Sequence, residues 1–220
     1  MKNSIKAILI TGIITTQSAY ASPISGLFNT GEGIAINQQT DTHYVLTDEN
    51  GVSIFGGFGE AAVGNGFPIG SGVWIQDSAT SHWLTPTANR TEVFDLNSQG
   101  TYVWALSFDL TGSDPATASF SGRFSADNNA VALLNGNQIG FASDFSNWYD
   151  FSASSNLFVS GINKIEFVVT NLQFNGFNPT GLRVEFTNSN VSSVPLPGAA
   201  WLFLSSMFGF LAVKRKKQKL

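Results

Sequence analysis

The sequence predicts an all-β protein: an antiparallel β-sandwich of the jelly-roll kind, flanked by an N-terminal signal peptide and a C-terminal transmembrane helix. Three observations predict it. Apolar residues alternate with small or polar ones in short runs between residues 40 and 186, helical periodicity is absent, and Gly, Ser, Thr and Asn interrupt the runs about every ten residues. Asn135-Gly136 lies between two apolar runs, a strong short signal for a hairpin. Each end of the chain joins an uncharged stretch to a group of lysines.

Residues 1–21 read as a secretion signal. Lys2 and Lys6 form its charged region, Ala7 to Thr16 its apolar region, and Ala19-Tyr20-Ala21 a small-x-small cleavage site for signal peptidase. The apolar region has about ten residues where a spanning helix needs about 20, so cleavage after Ala21 is expected. The mature chain then begins at Ser22.

The mature segment, 22–193, is long enough for one domain with a substantial core. It holds all 15 acidic residues against Arg90, Arg123, Lys164 and Arg183, a net charge of −11. That sign repels phosphate backbones and argues against nucleic acid as a partner. There is no cysteine, so disulfides and thiolate chemistry are excluded.

The sandwich itself is assigned to 22–186. Its clearest strand is Thr101–Leu110, where Tyr102, Trp104, Leu106, Phe108 and Leu110 share one face. Thr117–Phe124 repeats the pattern with Ala118, Phe120 and Phe124. Val131–Leu134 and Gln138–Phe141 flank the Asn135-Gly136 turn. Ile165, Phe167 and Val169 alternate, and so do Leu182, Val184 and Phe186, with Arg183 and Glu185 on the opposite face. Thr42–Thr47, Val52–Phe55 and Val73–Gln76 are weaker strand candidates. The Gly-rich stretch Asn50–Gly72 reads as a flexible loop holding a short strand. Thr187–Ser193 reads as a polar linker.

The tail, 194–220, has three parts in order. Val194-Pro195-Leu196-Pro197 stays extended, because proline fixes φ and constrains the residue before it. Gly198–Val213 is uncharged over 16 residues; as a helix it spans roughly 24 Å. Lys214-Arg215-Lys216-Lys217 and Lys219, in the basic stretch 214–220, mark the cytoplasmic side.

This tail closely resembles the PEP-CTERM sorting signal of Gram-negative bacteria, in its VPLP variant. Leu196 replaces the glutamate of the name-giving motif. The resemblance implies recognition by an exosortase, with cutting near the motif. It also implies a chain held briefly in the inner membrane by its C-terminal helix, C-terminus cytoplasmic, before release to the cell surface or beyond. FDLTGSDPATASFSGRFSADNNAVALLNGNQIG (108–140), GINKIEFVVTN (161–171), NPTGLRVEF (178–186) and WIQDSATSHWLTP (74–86) are similar to a recurrent ectodomain of such proteins. The segment around Asp127-Asn128 and Leu134-Asn135-Gly136 is similar to galactose-binding-like jelly rolls. That resemblance implies a glycan-associated role, with exopolysaccharide or biofilm matrix as partner.

Residues that could carry chemistry are few. His43 and His82 lie outside any metal-binding spacing, and no GxSxG elbow is present. Asp144 and Asp150 flank Trp148-Tyr149, the nearest approach to a sugar-cleaving pair. No catalytic residue is assigned; a glycan-active enzyme is the alternative to a non-catalytic surface protein. Asp127 and Asn128 offer oxygen ligands suited to Ca2+, or else cap a turn. Trp83, Trp148 and Tyr149 lie in loop-like contexts and are the aromatic candidates for stacking on sugar.

Overall fold

The computed structural model describes residues 20–34, 40–62, 64 and 66–194. Ala21–Ser193 form one compact unit, and of the residues outside it only Tyr20 and Val194 are described. The signal peptide up to Ala19, Pro195-Leu196-Pro197, the 198–213 helix and the basic tail therefore lie outside the described residues. Among the described residues no helix is long and apolar enough to cross a membrane.

Among the described residues of the unit there are eleven antiparallel strands: β1 Ala21–Ser22, β2 Thr40–Thr47, β3 Ser53–Ala61, β4 Leu84–Thr85, β5 Gly100–Asp109, β6 Ser113–Asp127, β7 Asn129–Leu134, β8 Asn137–Ala142, β9 Tyr149–Ser154, β10 Ile162–Asn171 and β11 Gly181–Ser193. One layer runs β3-β2-β5-β10-β7-β8. The other is β9-β6-β11, with the short β4 and β1 along the far edge of β11. Two narrow seams join the layers: Glu60↔Thr85 with Ala61↔Leu84, and Gly140↔Phe151.

The core follows from alternation. Trp104, Leu106 and Phe108 of β5 and Ile165, Phe167 and Val169 of β10 point inward and are buried. They pack with Phe120 and Phe124 of β6 and Phe151 of β9; Phe167 meets Phe151 edge to face at 5.7 Å and lies tilted against Phe124 at 5.5 Å. Each buried aromatic or aliphatic side chain contributes about 1.5–3 kcal/mol before entropy. The hairpin forms where expected: Asn135 at φ 50° and Gly136 at φ 81° make the left-handed pair a type I′ turn needs.

Three expectations are corrected. Thr187–Ser193 is no linker but the second half of β11. It pairs with β6 as far as Ser193↔Ser113 and with β1 through Ala21↔Ser192 and Ser22↔Val191. Backbone partners on both edges override its polar composition, and bulges after Phe186 and Asn190 absorb the irregularity. Val73–Gln76 is not a strand, because its backbone donors turn to separate loops: Trp74 N–H to the Pro68 carbonyl and Ile75 N–H to that of Phe145. In the Gly-rich stretch, β3 extends to Ala61 instead of ending at Phe55.

An aromatic-walled cleft at the end of the sandwich

The outer face of β11 is covered. Arg183 and Glu185 alternate with the core residues Leu182 and Val184, so they face away from the core, yet they are only 1% and 5% exposed. The segment that leaves β3 and reaches β4 lies over them. Arg183 donates from Nε to Ser81 Oγ at 2.7 Å, from Nη2 to Ser78 Oγ at 3.0 Å and from Nη1 to the Gln76 carbonyl. Glu185 accepts from Ser81 Oγ at 2.8 Å and twice from Arg123, at 2.8 and 2.6 Å. Burial pushes the Glu185 carboxyl up, but the bonds from Ser81 and Arg123 outweigh it and hold it below its usual range.

That covering segment carries a small core of its own. Trp74 and Trp83 pack with ring centroids 4.3 Å apart beside Ile69 and Ala62. Trp83 is fully buried and donates its indole N–H to the Ile75 carbonyl at 2.8 Å. The expectation of an exposed, sugar-stacking Trp83 is therefore corrected: the ring has no free face. Gly181 makes the fit of Trp74 attainable, since a Cβ there would meet the Leu84 carbonyl at 2.8 Å and the Trp74 ring at 2.9 Å.

Trp148 is half-buried. Its ring lies 4.5 Å from the Arg123 guanidinium carbon and 4.8 Å from that of Arg183. The ring that the sequence offered for stacking thus makes cation–π contact with two guanidiniums. Tyr149 begins β9 and packs against the main core; its hydroxyl accepts from Ser143 Oγ at 2.7 Å and donates to the Asp144 carboxylate.

Trp74 leads to a different site. Its Nε1 donates to Asp127 Oδ2 at 2.7 Å, and Asp127, the last residue of β6, is 5% exposed at the edge of a cleft of about 330 Å³. Phe67, Pro68 and Val73 wall the cleft from one side, and Phe145 from the β8–β9 connection. The β10–β11 connection supplies Leu172, Phe174 and Phe177. Phe174 and Phe177 are 58% and 73% exposed, and Phe177 meets Phe67 edge to face at 5.9 Å.

The polar groups of the cleft are unequal. Asn128 Oδ1 accepts from Leu172 N–H at 2.7 Å; Asn178 Nδ2 donates to the Phe94 and Leu172 carbonyls; Gln173 Nε2 donates to that of Leu96. These amides hold the loop. Asp127 Oδ1 makes no hydrogen bond among the described residues. Burial pushes the Asp127 carboxyl up to about 7, and the Trp74 bond offsets only part of that.

No family model and no curated protein matches the chain. Among solved structures it is similar to a family 35 carbohydrate binding module from an environmental isolate. The match is 14% identical, covers 47% of this chain and 76% of that one, and has a TM-score of 0.25. A superposition that loose fixes neither fold nor ligand.

The remaining candidates are distributed elsewhere. Asp127 and Asn128 are neighbours, but Asn128 Oδ1 accepts from Leu172 N–H in the β10–β11 connection, 44 residues on, and not from a turn of its own. Calcium needs six to eight oxygens, and among the described residues no group of three His, Cys, Asp or Glu side chains converges. Asp144 is held down to about 2: burial raises it, but bonds from Tyr149, Ser146 and Asn147 prevail. A carboxyl so held is a poor general acid. Asp150 lines a separate shallow cleft of about 380 Å³ beside Ser121 and Ser152. His43 stacks on Phe28 at 3.8 Å, and His82 Nδ1 lies 3.5 Å from Asp77. Sequence reasoning missed Phe174 and Phe177 because it weighed only tryptophan and tyrosine; two phenylalanines bracketing Asn175-Gly176 were the available signal.

Proposed function

We propose that the chain is an exported, non-catalytic surface protein that binds glycan in the cleft at Asp127 and carries an exosortase sorting signal in its tail. One observation carries the binding reading: the exposed rings of Phe174 and Phe177 stand beside a carboxylate with one oxygen open. Apolar faces with a few fixed polar groups are what a sugar-binding site requires. Co-sedimentation with purified exopolysaccharides tests it. Replacing both Phe174 and Phe177 by alanine abolishes retention on the cognate polymer; undiminished retention refutes the reading.

The export part rests on the two end segments. After removal of the signal by signal peptidase, the C-terminal helix holds the chain in the inner membrane until an exosortase acts near Val194-Pro195-Leu196-Pro197. The chain then joins the surface or the exopolysaccharide matrix of a biofilm. The lysine-flanked apolar stretches at the two ends and the Val194-Pro195-Leu196-Pro197 motif support this. Pro195→Ala with Pro197→Ala leaves export intact and blocks the mass shift of the surface form. Processing at the parental rate refutes the sorting role.

A further inference from the structure

We infer that the glycan bound in this cleft is a cationic one, an amino-sugar polymer whose free ammonium groups bond to Asp127 Oδ1 while the ring's C–H face lies on Phe177 and Phe174. The inference rests on the glycan-binding reading and narrows its ligand class.

The cleft is complementary to such a ligand. Every side chain lining the cleft other than Asp127 is uncharged. The amide donors of Asn178 and Gln173 are directed at backbone carbonyls, so these groups favour neither uronate nor sulfate. Beside the neutral amide donor of Asn128, the charged group that stays open is an acceptor: Oδ1 of a carboxylate 5% exposed, fixed from behind by Trp74. A buried carboxylate without a counter-charge is unfavourable, and a ligand ammonium supplies that charge together with the missing hydrogen bond. Aromatic rings around the same point favour a cation as well. The raised carboxyl agrees with this, because it marks an acid whose ionised form lacks a partner. The domain's net charge of −11 draws a polycation toward it at long range.

The test is calorimetric, on the full chain in mild detergent at about pH 7, where about half of the Asp127 carboxyl is ionised and which still lies below the usual α-amino range. The probes are a fully deacetylated glucosamine oligomer, its N-acetylated counterpart, and a neutral glucose oligomer of the same length. The expected result is at least tenfold tighter binding of the deacetylated probe, about the worth of one charge-assisted hydrogen bond. Asp127→Asn, which keeps the shape and the Trp74 contact, removes the preference, with its fold checked by a thermal melt. Equal affinity for all three probes overturns the inference and leaves glycan binding standing. A preference that survives in Asp127→Asn overturns it too, because diffuse surface charge then explains the attraction. Binding of no polymer at all refutes the glycan reading itself.

Discussion

Trp74 and Asp127 are joined by a single hydrogen bond, indole N–H to carboxylate at 2.7 Å, across 53 residues of sequence. It ties the segment covering β11 to the end of β6, and it is the only bond made to the Asp127 carboxylate among the described residues. The folded state therefore holds this acid more readily protonated than the unfolded chain does, at about 7 against 3.8. Folding takes up a proton between those values, so Asp127 lowers stability progressively as pH rises from about 4 to about 7. Asp127→Asn should remove that loss. Melts at about pH 8 should favour the variant by up to roughly 4 kcal/mol, with the gap closing near pH 4. A gap that does not vary with pH would show that the carboxyl is not destabilised by burial.

Phe177→Ala and Trp148→Ala form an opposed pair. Phe177 is 73% exposed, so its loss should change stability by no more than about 0.5 kcal/mol while weakening glycan binding about tenfold. Trp148 rests on two guanidiniums outside the cleft. Its loss should cost about 1–2 kcal/mol and leave affinity unchanged. One melt and one isotherm on each variant decide the matter; the reverse outcome would return the binding platform to Trp148.

Trp83→Ala should destabilise by about 3–5 kcal/mol, since it empties the small core under the covering segment. Urea midpoints measure this. A loss below about 1 kcal/mol would mean that the segment is not packed as described.

Arg183→Ala should cost a similar amount, about 3–5 kcal/mol. The buried guanidinium bonds Ser81, Ser78 and the Gln76 carbonyl, and among the described residues no other side chain bonds all three. Chemical denaturation at high and low salt checks it. The cost should persist in high salt, because a buried network is screened far less than a surface pair.

N-terminal sequencing of exported protein should begin at Ser22. Removing Ala21 also deletes one of the two partner pairs of β1. An intact Met1 terminus in the envelope would contradict the signal reading.

The strands with one buried and one open face were legible in the sequence, β5 and the β7–β8 hairpin above all. Alternation over Tyr102–Leu110 and the Asn135-Gly136 turn each have a local cause. β11 was legible only in part. Arg183 and Glu185 mark an outer face in any sequence reading, and nothing near them announces that residues 69–83 will cover it. Trp83 misled for the same reason: its polar sequence neighbours, Ser81 and His82, say nothing of Ile69 and Trp74 across the loop. The cleft was half visible. Asp127-Asn128 was singled out as a pair of oxygen ligands, but the aromatic wall joins Phe145 to rings about 50 to 60 residues away on either side, brought together only by the fold.

β11 begins at Gly181, opposite Asp127, and ends at Ser193, opposite Ser113. Its 13 residues span on the order of 40 Å along the sandwich. The cleft is at the first end and the chain leaves the domain at the second. A cut beyond Ser193 therefore falls a full strand's length from Asp127, and it leaves every residue that lines the cleft in place.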